Sequence, residues 1–542
     1  MSRFDVCHPD DLNRPFKSRP DIIVPLLNLT YHDPDLLSPG YYFLAPFKSL
    51  VSVPLIYDNN GKPAATDNEG TQHLVWVGSD GLAGTEGHGP HVYDFHVCDY
   101  QGSQSSSICM LRGFNDQGNV RGDAVIMDSH YRQVKQVFAS GVATSCDLHE
   151  FTTANAGTTA LVTQYRRRPY DLPGRGLVWL LEGVFQELDI ESGRVLFEWK
   201  SLDHVAPFES VLTPKQATRS LPWDYFHLNS VEKMPDGNYL VSSRHTSTIF
   251  KISARDGTIM WRFGGPLSSF EPMDPPLLFQ HHARVLADDG ETTRLSVFDN
   301  GRRPAMKPER PSAGVILQLN HKSKTVLVER RYSGPGVQYI IKVAGSTLVL
   351  PNQNVLVGFG DSACFTEYTS NGTLALKACL KDDTRGTLYR AYKSPWIGRP
   401  LSDVALVSFS RTNLSSTAFY VSWNGATEVR QWRVLGASSQ SGPFEEVSRV
   451  AKGGFETTIS TDKHYAAAYV EALSAEGEVL GKSAVAATLV PSEANGPHCD
   501  DFWCIESSPC PAAVETGSAV GGVPSPLHVK WRGGCGIGRR LA

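Results

Sequence analysis

Five short segments carry side chains able to do chemistry together. His149 lies in Asp147-Leu148-His149-Glu150-Phe151, and His227 in Asp224-Tyr225-Phe226-His227-Leu228-Asn229-Ser230. Arg244 and His245 follow Ser242-Ser243. His281 and His282 stand between Gln280 and Ala283, and the run Phe298-Asp299-Asn300-Gly301 ends an apolar stretch. Taken singly, each has an ordinary reading: a histidine satisfied inside the fold, an exposed loop residue, a turn. Taken jointly, three histidines and an arginine that fall at equivalent places in consecutive units, without matching carboxylates, suit a tetrahedral oxyanion better than a hard metal ion. A neutral imidazole is a competent nucleophile near pH 7, and a guanidinium stabilises developing negative charge.

A degenerate repeat supplies the elements that must bring these segments together. Pro235–Trp261 holds an alternating strand, a second strand at Ile249–Ile252, an Asp256-Gly257 turn and a third strand ending in Trp261. Pro351–Leu380 repeats the plan around Asn371-Gly372, as do 160–199 around Ser192-Gly193 and 295–328, with weaker copies near 74–100 and 108–138. Radial repetition of small sheets protects strand edges, so the expected fold is all-β. It comprises a six-bladed β-propeller over 39–400, followed by a fibronectin-III/immunoglobulin-like β-sandwich over 401–490 that carries Trp423 and Trp432. A pair of β-sandwiches is the rival; it explains the recurring third-strand tryptophan less well. The expectation leaves 1–38 as an N-terminal segment and 491–542, rich in Ser, Pro, Gly and Cys, as a disordered tail.

Composition narrows the function classes. The 542 residues include 48 Gly and 34 Pro, breakers that favour short strands over long helices. Fifty-one basic against 56 acidic residues, with no basic stripe, argue against a nucleic-acid partner. No apolar run approaches the roughly 20 residues of a membrane helix. Acceptor tripeptides make Asn28, Asn371 and Asn413 glycosylation candidates. Cys364 and Cys379 flank the Asn371-Gly372 turn symmetrically, and Cys98 and Cys109 bracket a Gly/Ser/Gln-rich turn, so both pairs are expected to face each other as disulfides. Bridges imply an oxidising compartment. A secreted protein whose signal sequence is missing from this chain is therefore expected; the literal N-terminus, with no apolar core, reads as cytoplasmic. Cys499, Cys504 and Cys510 match no zinc framework well, and no metal site is expected.

The run from Asp224 to Gly265 resembles the arylsulfotransferase (aryl-sulfate sulfotransferase) family, most closely its fungal-type branch. Further matching stretches are 39–46, 147–151, 185–190, Gln280-His281, 298–301, 388–396 and, in the sandwich segment, 421–429. The resemblance implies a propeller enzyme that moves a sulfuryl group from a phenolic sulfate ester to a phenol acceptor through a sulfated histidine. It implies no cofactor and no nucleotide donor. His281 matches the nucleophile; His227 and Arg244 match groups that bind sulfate oxygens and assist the leaving oxygen; His149 is the counterpart of a further channel histidine. Asn229, His282, His245 and Asn300 are expected substrate contacts. Members of the family usually carry an acidic residue where His282 stands, so the nucleophile is assigned to His281 in preference to its neighbour. A non-catalytic extracellular propeller–sandwich binding protein is the alternative, and a quinone-dependent dehydrogenase fits less well for want of a carboxylate cluster. The catalytic reading requires His149, His227, Arg244 and His281 to meet at one channel mouth.

Overall fold

The computed structural model describes residues 16–491, apart from 50–51, 60–73, 79–90, 103–105, 117–118, 142–144, 215, 303–309, 335–339 and 382–385. The expected tail and its three cysteines lie outside the described residues. The described chain is almost wholly β, with four 3-10 turns as its only helices. None of its helices is long and apolar enough to cross a membrane.

Six antiparallel sheets follow one another over residues 26–394 among the described residues. The first joins Tyr41–Phe47, Leu55–Tyr57 and Leu74–Val77 to the late strand Thr387–Ser394. The second runs His91–Cys98, Ser107–Asp116, Asn119–Met127, Gln133–Val137, and the third Phe151–Ala154, Thr159–Leu172, Gly176–Asp189, Val195–Lys200. The fourth contains Leu228–Lys233, Tyr239–Ser243, Thr248–Ile252 and Ile259–Gly264; the fifth His281–Asp288, Thr292–Asp299, Ala313–Asn320 and Val326–Ser333. The sixth is built from Ser346–Val349, Val355–Phe359, Cys364–Tyr368 and Leu374–Lys381. Leu26–His32, which the sequence left in an unassigned N-terminal segment, pairs with Leu374–Lys381 as its fifth strand. Early and late parts of the chain are thus tied twice.

The middle strands Tyr239–Ser243 and Thr248–Ile252 are buried along their whole length, so the alternation read from the sequence does not mark a solvent face here. Neighbouring sheets share the core: Phe185, Trp199, Tyr239 and Phe250 fill the gap between the third and fourth. The Trp199 indole donates to the Gly257 carbonyl 3.1 Å away, so a tryptophan on the outer, fourth strand of one sheet clamps the turn of the next. That turn needs a residue at φ +75°, which Gly257 supplies without strain.

The first strands of the sheets meet at a buried polar centre. Arg390, 1% exposed, donates to Asp94 (2.7 Å) and to Glu150 (3.0 Å), and to the backbone carbonyls of His149 (2.7 Å) and Asn229 (2.9 Å). Arg284 adds a second guanidinium to Glu150 at 2.9 Å. Five sheets are joined at this one cluster.

Beyond residue 400, two further sheets share one apolar core made by Phe419, Val421, Trp432, Val434, Ile459 and Val470. They are anchored on the preceding sheets by Asn424, which exchanges hydrogen bonds with the Val77 backbone at 2.9 Å. Tyr131 helps too, stacking on Trp76 and donating to Gly425 O.

Both expected disulfides are present, Cys98–Cys109 and Cys364–Cys379. Cys364 and Cys379 are directly opposed. Cys98 instead opposes Ser107, while Cys109 opposes His96, so this bridge runs diagonally beside an irregularity at 93–96. Bridges fit an oxidising compartment. Serine at both 364 and 379 is expected to destabilise the protein by about 3 kcal/mol, the chain-entropy value for a loop of about 15 residues. Denaturant midpoints of the two proteins without reductant check this; identical midpoints would contradict it.

Candidate active site

Three of the expected histidines stand at or just before the start of a sheet's first strand: His149 ahead of Phe151–Ala154, His227 ahead of Leu228–Lys233, and His281 at the head of His281–Asp288. The three rings are close enough to act on one another, since Arg244, His227 and His149 all oppose a charge on His281. His149 and His227 meet edge to face with centroids 4.9 Å apart, and His227 lies 4.5 Å from His245. Tyr389 and Tyr165 close around His149 at 5.6 and 5.7 Å. Arg244 packs its guanidinium over the Phe279 ring at 4.3 Å and donates to Lys342 O at 3.0 Å. Directly beneath, Arg390 holds the backbones of His149 and Asn229, so the polar cluster forms the floor of the site.

The absence of carboxylates expected from the sequence does not hold. The Nδ1 of His149 is bonded to Asp147, and that of His227 to Asp224 at 2.5 Å. Both aspartates also accept the backbone N–H of their own histidine, at 3.2 and 3.0 Å, which makes each segment a tight self-bonded turn. His227 adopts φ +54° to complete its turn, a conformation uncommon outside glycine and held here by Asp224. A carboxylate acceptor fixes the proton on Nδ1 and leaves Nε2 facing the site.

His281 differs. Its Nδ1 lies 2.7 Å from Asn300 Oδ1, a neutral amide. Asn300, expected at the substrate, is occupied with scaffold bonds: its Nδ2 donates to Ile341 O and Ala344 O. Asp299 beside it accepts the Leu278 and Gly301 N–H groups and pairs with Arg310 and Arg331. The run Phe298–Gly301 is therefore a brace behind His281.

The other expected substrate contacts are also engaged elsewhere. Asn229 donates through Nδ2 to Gln280 O at 2.6 Å, joining the fourth and fifth sheets, while its Oδ1 is buried without a partner. His245 Nδ1 donates to Asp224 O, and its Nε2 accepts from Arg244 at 2.6 Å. His282 is turned away from His281. A register shift between His281 and Arg284, with φ +53° at His282, points its ring at Tyr392 and the Thr347 backbone.

Asp224, His227 and His245 place ligand atoms within 4.8 Å of one another. Both Nδ1 atoms are spent on Asp224 itself, and the Arg244 cation touches His245 Nε2, so this donor set suits an anion-binding cluster better than a metal ion.

Burial holds His227, His281 and His282 well below the usual imidazole range, and pushes His245 down to about 3. Arg244 is the next cause at His281, as His149 is at His227. Burial also pulls Arg244 down to about 10, still charged at pH 7. The sign of the pH dependence follows. These histidines are neutral in the fold but protonate near pH 6.5 in the unfolded chain. Their contribution is complete above that pH and is lost as pH falls from there toward the folded values, at about 1.4 kcal/mol per pH unit for each group. Urea midpoints are expected to fall between about pH 7.5 and about pH 5.5; constant midpoints would contradict buried neutral imidazoles.

Among solved structures, the chain is similar to a protein of unknown function from Bacteroides caccae, with TM-score 0.38 and 14% identity over 66% of this chain and 99% of that one. It is similar also to the Dos1 propeller (TM-score 0.29, 10% identity, 64% and 67% covered) and to a luciferin-regenerating enzyme (0.28, 10%, 61% and 88%). No curated protein matches it. The family model described as Arylsulfotransferase (ASST) matches residues 111–381, half of the chain, a span that encloses His149, His227, His281, Arg244 and the Asn300 brace. With that match, this all-β chain belongs to the arylsulfotransferase family.

Proposed function

We propose that the protein is a nucleotide-independent aryl sulfotransferase of the fungal-type branch. In this reading it is a six-bladed propeller over 39–400 with a fibronectin-III-like sandwich over 401–490, and it is secreted. The exposed Asn28, Asn371 and Asn413 are its glycosylation sites. The observation that carries the reading is the contrast in partners: two histidines backed by carboxylates and one backed by an amide, beside a guanidinium.

His281 Nε2 attacks the sulfur of a phenolic sulfate ester. An N–S bond forms, the S–O bond to the aryl oxygen breaks, and the electron pair leaves with the phenolate. Arg244 stabilises the equatorial sulfate oxygens. His227 or His149, each with a carboxylate behind Nδ1, supplies the proton to the departing oxygen. Burial holds His227 neutral, and the negative ester supplies the charge that favours its protonation. In the second half, a phenol acceptor gives its proton to the same histidine, its oxygen attacks sulfur, and the N–S bond breaks. Covalent transfer divides one displacement into two.

The test is turnover of p-nitrophenyl sulfate with a phenol acceptor: nitrophenolate release that depends on acceptor, with matching aryl sulfate formed, supports the reading, and no transfer to any phenol contradicts it. His227→Asn is expected to slow donors of ordinary phenols (pKa about 10) by about 100-fold, and the activated nitrophenyl ester far less, because a good leaving group needs little protonation. Equal losses for both donors would remove His227 from the proton-transfer role.

A further inference from the structure

We propose that Asn300 is a positioning residue that locks His281 in the Nδ1–H tautomer, and that its uncharged amide is what separates His281 from the two carboxylate-backed histidines beside it. The inference rests on the reading of His281 as the nucleophile, and goes beyond it by assigning how the group is set.

The amide cannot be reversed. Its Nδ2 sits between two carbonyls, 3.2 Å from Ile341 O and 3.1 Å from Ala344 O, so both of its hydrogens have acceptors there and Oδ1 is turned to the imidazole. An acceptor at 2.7 Å requires a proton on His281 Nδ1 and leaves the lone pair on Nε2. The brace is itself held: Asn300 O accepts from Ser312 Oγ at 2.7 Å, and the same Oγ accepts the Ile341 N–H at 2.9 Å. Gln280, next to His281, anchors the strand start through three bonds from its Nε2 to Ser242 Oγ, Ser243 O and Thr248 O.

The chemical consequence is a division of labour. A carboxylate behind Nδ1 offers a counter-charge to an imidazole that takes up a proton during transfer and so suits proton donation; an amide gives orientation without that counter-charge and leaves the lone pair available. The charged and titratable groups facing His281 are Arg244, His227 and His149, all of which oppose its protonation. A carboxylate at position 300 would reverse this balance.

The test reads the tautomer and the chemistry separately, on the full chain. Two-dimensional 15N–1H spectra of 15N-histidine-labelled protein, with His281 assigned by its loss in His281→Ala, are expected to show an Nδ1–H neutral ring at pH 7. In Asn300→Ala the Nδ1–H signature is expected to be lost, and the first-turnover burst of nitrophenolate to slow by up to about 10,000-fold, the loss that a wrong histidine tautomer can cause. In Asn300→Asp the His281 titration and the acid limb of kcat/KM are expected to move up by about one pH unit or more. Asn300→Leu, which also offers no acceptor, provides the same comparison should Asn300→Ala fail to fold. Persistence of the Nδ1–H signature in the folded Asn300→Ala or Asn300→Leu protein, or an Nε2–H ring in the unsubstituted protein, would overturn the proposal. An Asn300-dependent tautomer in a protein that transfers no sulfuryl group would leave the positioning intact and remove the function instead.

Discussion

His281→Ala is expected to lower sulfuryl transfer by about ten-thousand-fold while leaving the fold in place, because it removes the only atom to which sulfur is bonded between the two half-reactions. His281 is 3% exposed and its Nδ1 is bonded to Asn300 at 2.7 Å, so truncation leaves a neutral amide unpaired and no buried charge. His227 and His149 cannot substitute for it. Each is turned by its own aspartate, and sulfation of either would take away the proton donor the leaving oxygen needs. His282 is equally unsuited, since its ring faces Tyr392 and the Thr347 backbone. Steady-state and single-turnover kinetics with p-nitrophenyl sulfate check this: loss of both burst and turnover is expected. A variant with undiminished burst would move the covalent step to another residue.

The largest effect on stability is expected at Arg390. Its side chain and those of Asp94 and Glu150 are at most 1% exposed, and it also donates to Tyr392 Oη and to two backbone carbonyls. Arg390→Gln leaves Glu150 with Arg284 but strands Asp94, and removing one member of a buried pair costs about 3–5 kcal/mol. Burial alone would raise the Asp94 carboxyl; the neighbouring Arg390 charge is the main reason it is held low. A fall of several degrees in the melting temperature is therefore expected. Arg390→Gln combined with Asp94→Asn should recover part of it, because the stranded charge is gone. Unchanged melting on Arg390→Gln would mean that the cluster does not hold the sheets. Lysine is not an equivalent replacement: a single ammonium cannot reach two carboxylates and two carbonyls at once.

Local signals carried much of the architecture. Strand–turn–strand units around Asp256-Gly257 and Asn371-Gly372 are visible because turn chemistry and hydrophobic patterning act within a few residues. Cys364 and Cys379 are directly opposed, although the hairpin that joins them carries an irregularity at Glu367–Tyr368. Cys98 meets Cys109 on the diagonal because their strands pair one step off the symmetry counted from the turn, Cys98 opposing Ser107 and His96 opposing Cys109; the irregularity at 93–96 lies beyond them. The pairing of Leu26–His32 with Leu374–Lys381 has no local signature at all.

The site divides in the same way. Histidines and Arg244 stand out by type. Asp147 and Asp224 lie two and three residues before their histidines, yet their role depends on tight turns that composition does not reveal. Asn300 was visible as a polar residue after a strand, but its orientation is set by carbonyls more than 40 residues later. Arg390, in an ordinary alternating strand, shows its importance only when five sheets meet around it.

Intact-mass and peptide mass spectrometry after mixing the protein with p-nitrophenyl sulfate, without acceptor, tests the central claim most directly. One sulfuryl group per chain, located on His281 and discharged when a phenol is added, is the predicted result. Nitrophenolate release with no sulfuryl group on the protein, or with the group on a residue other than His281, would contradict it.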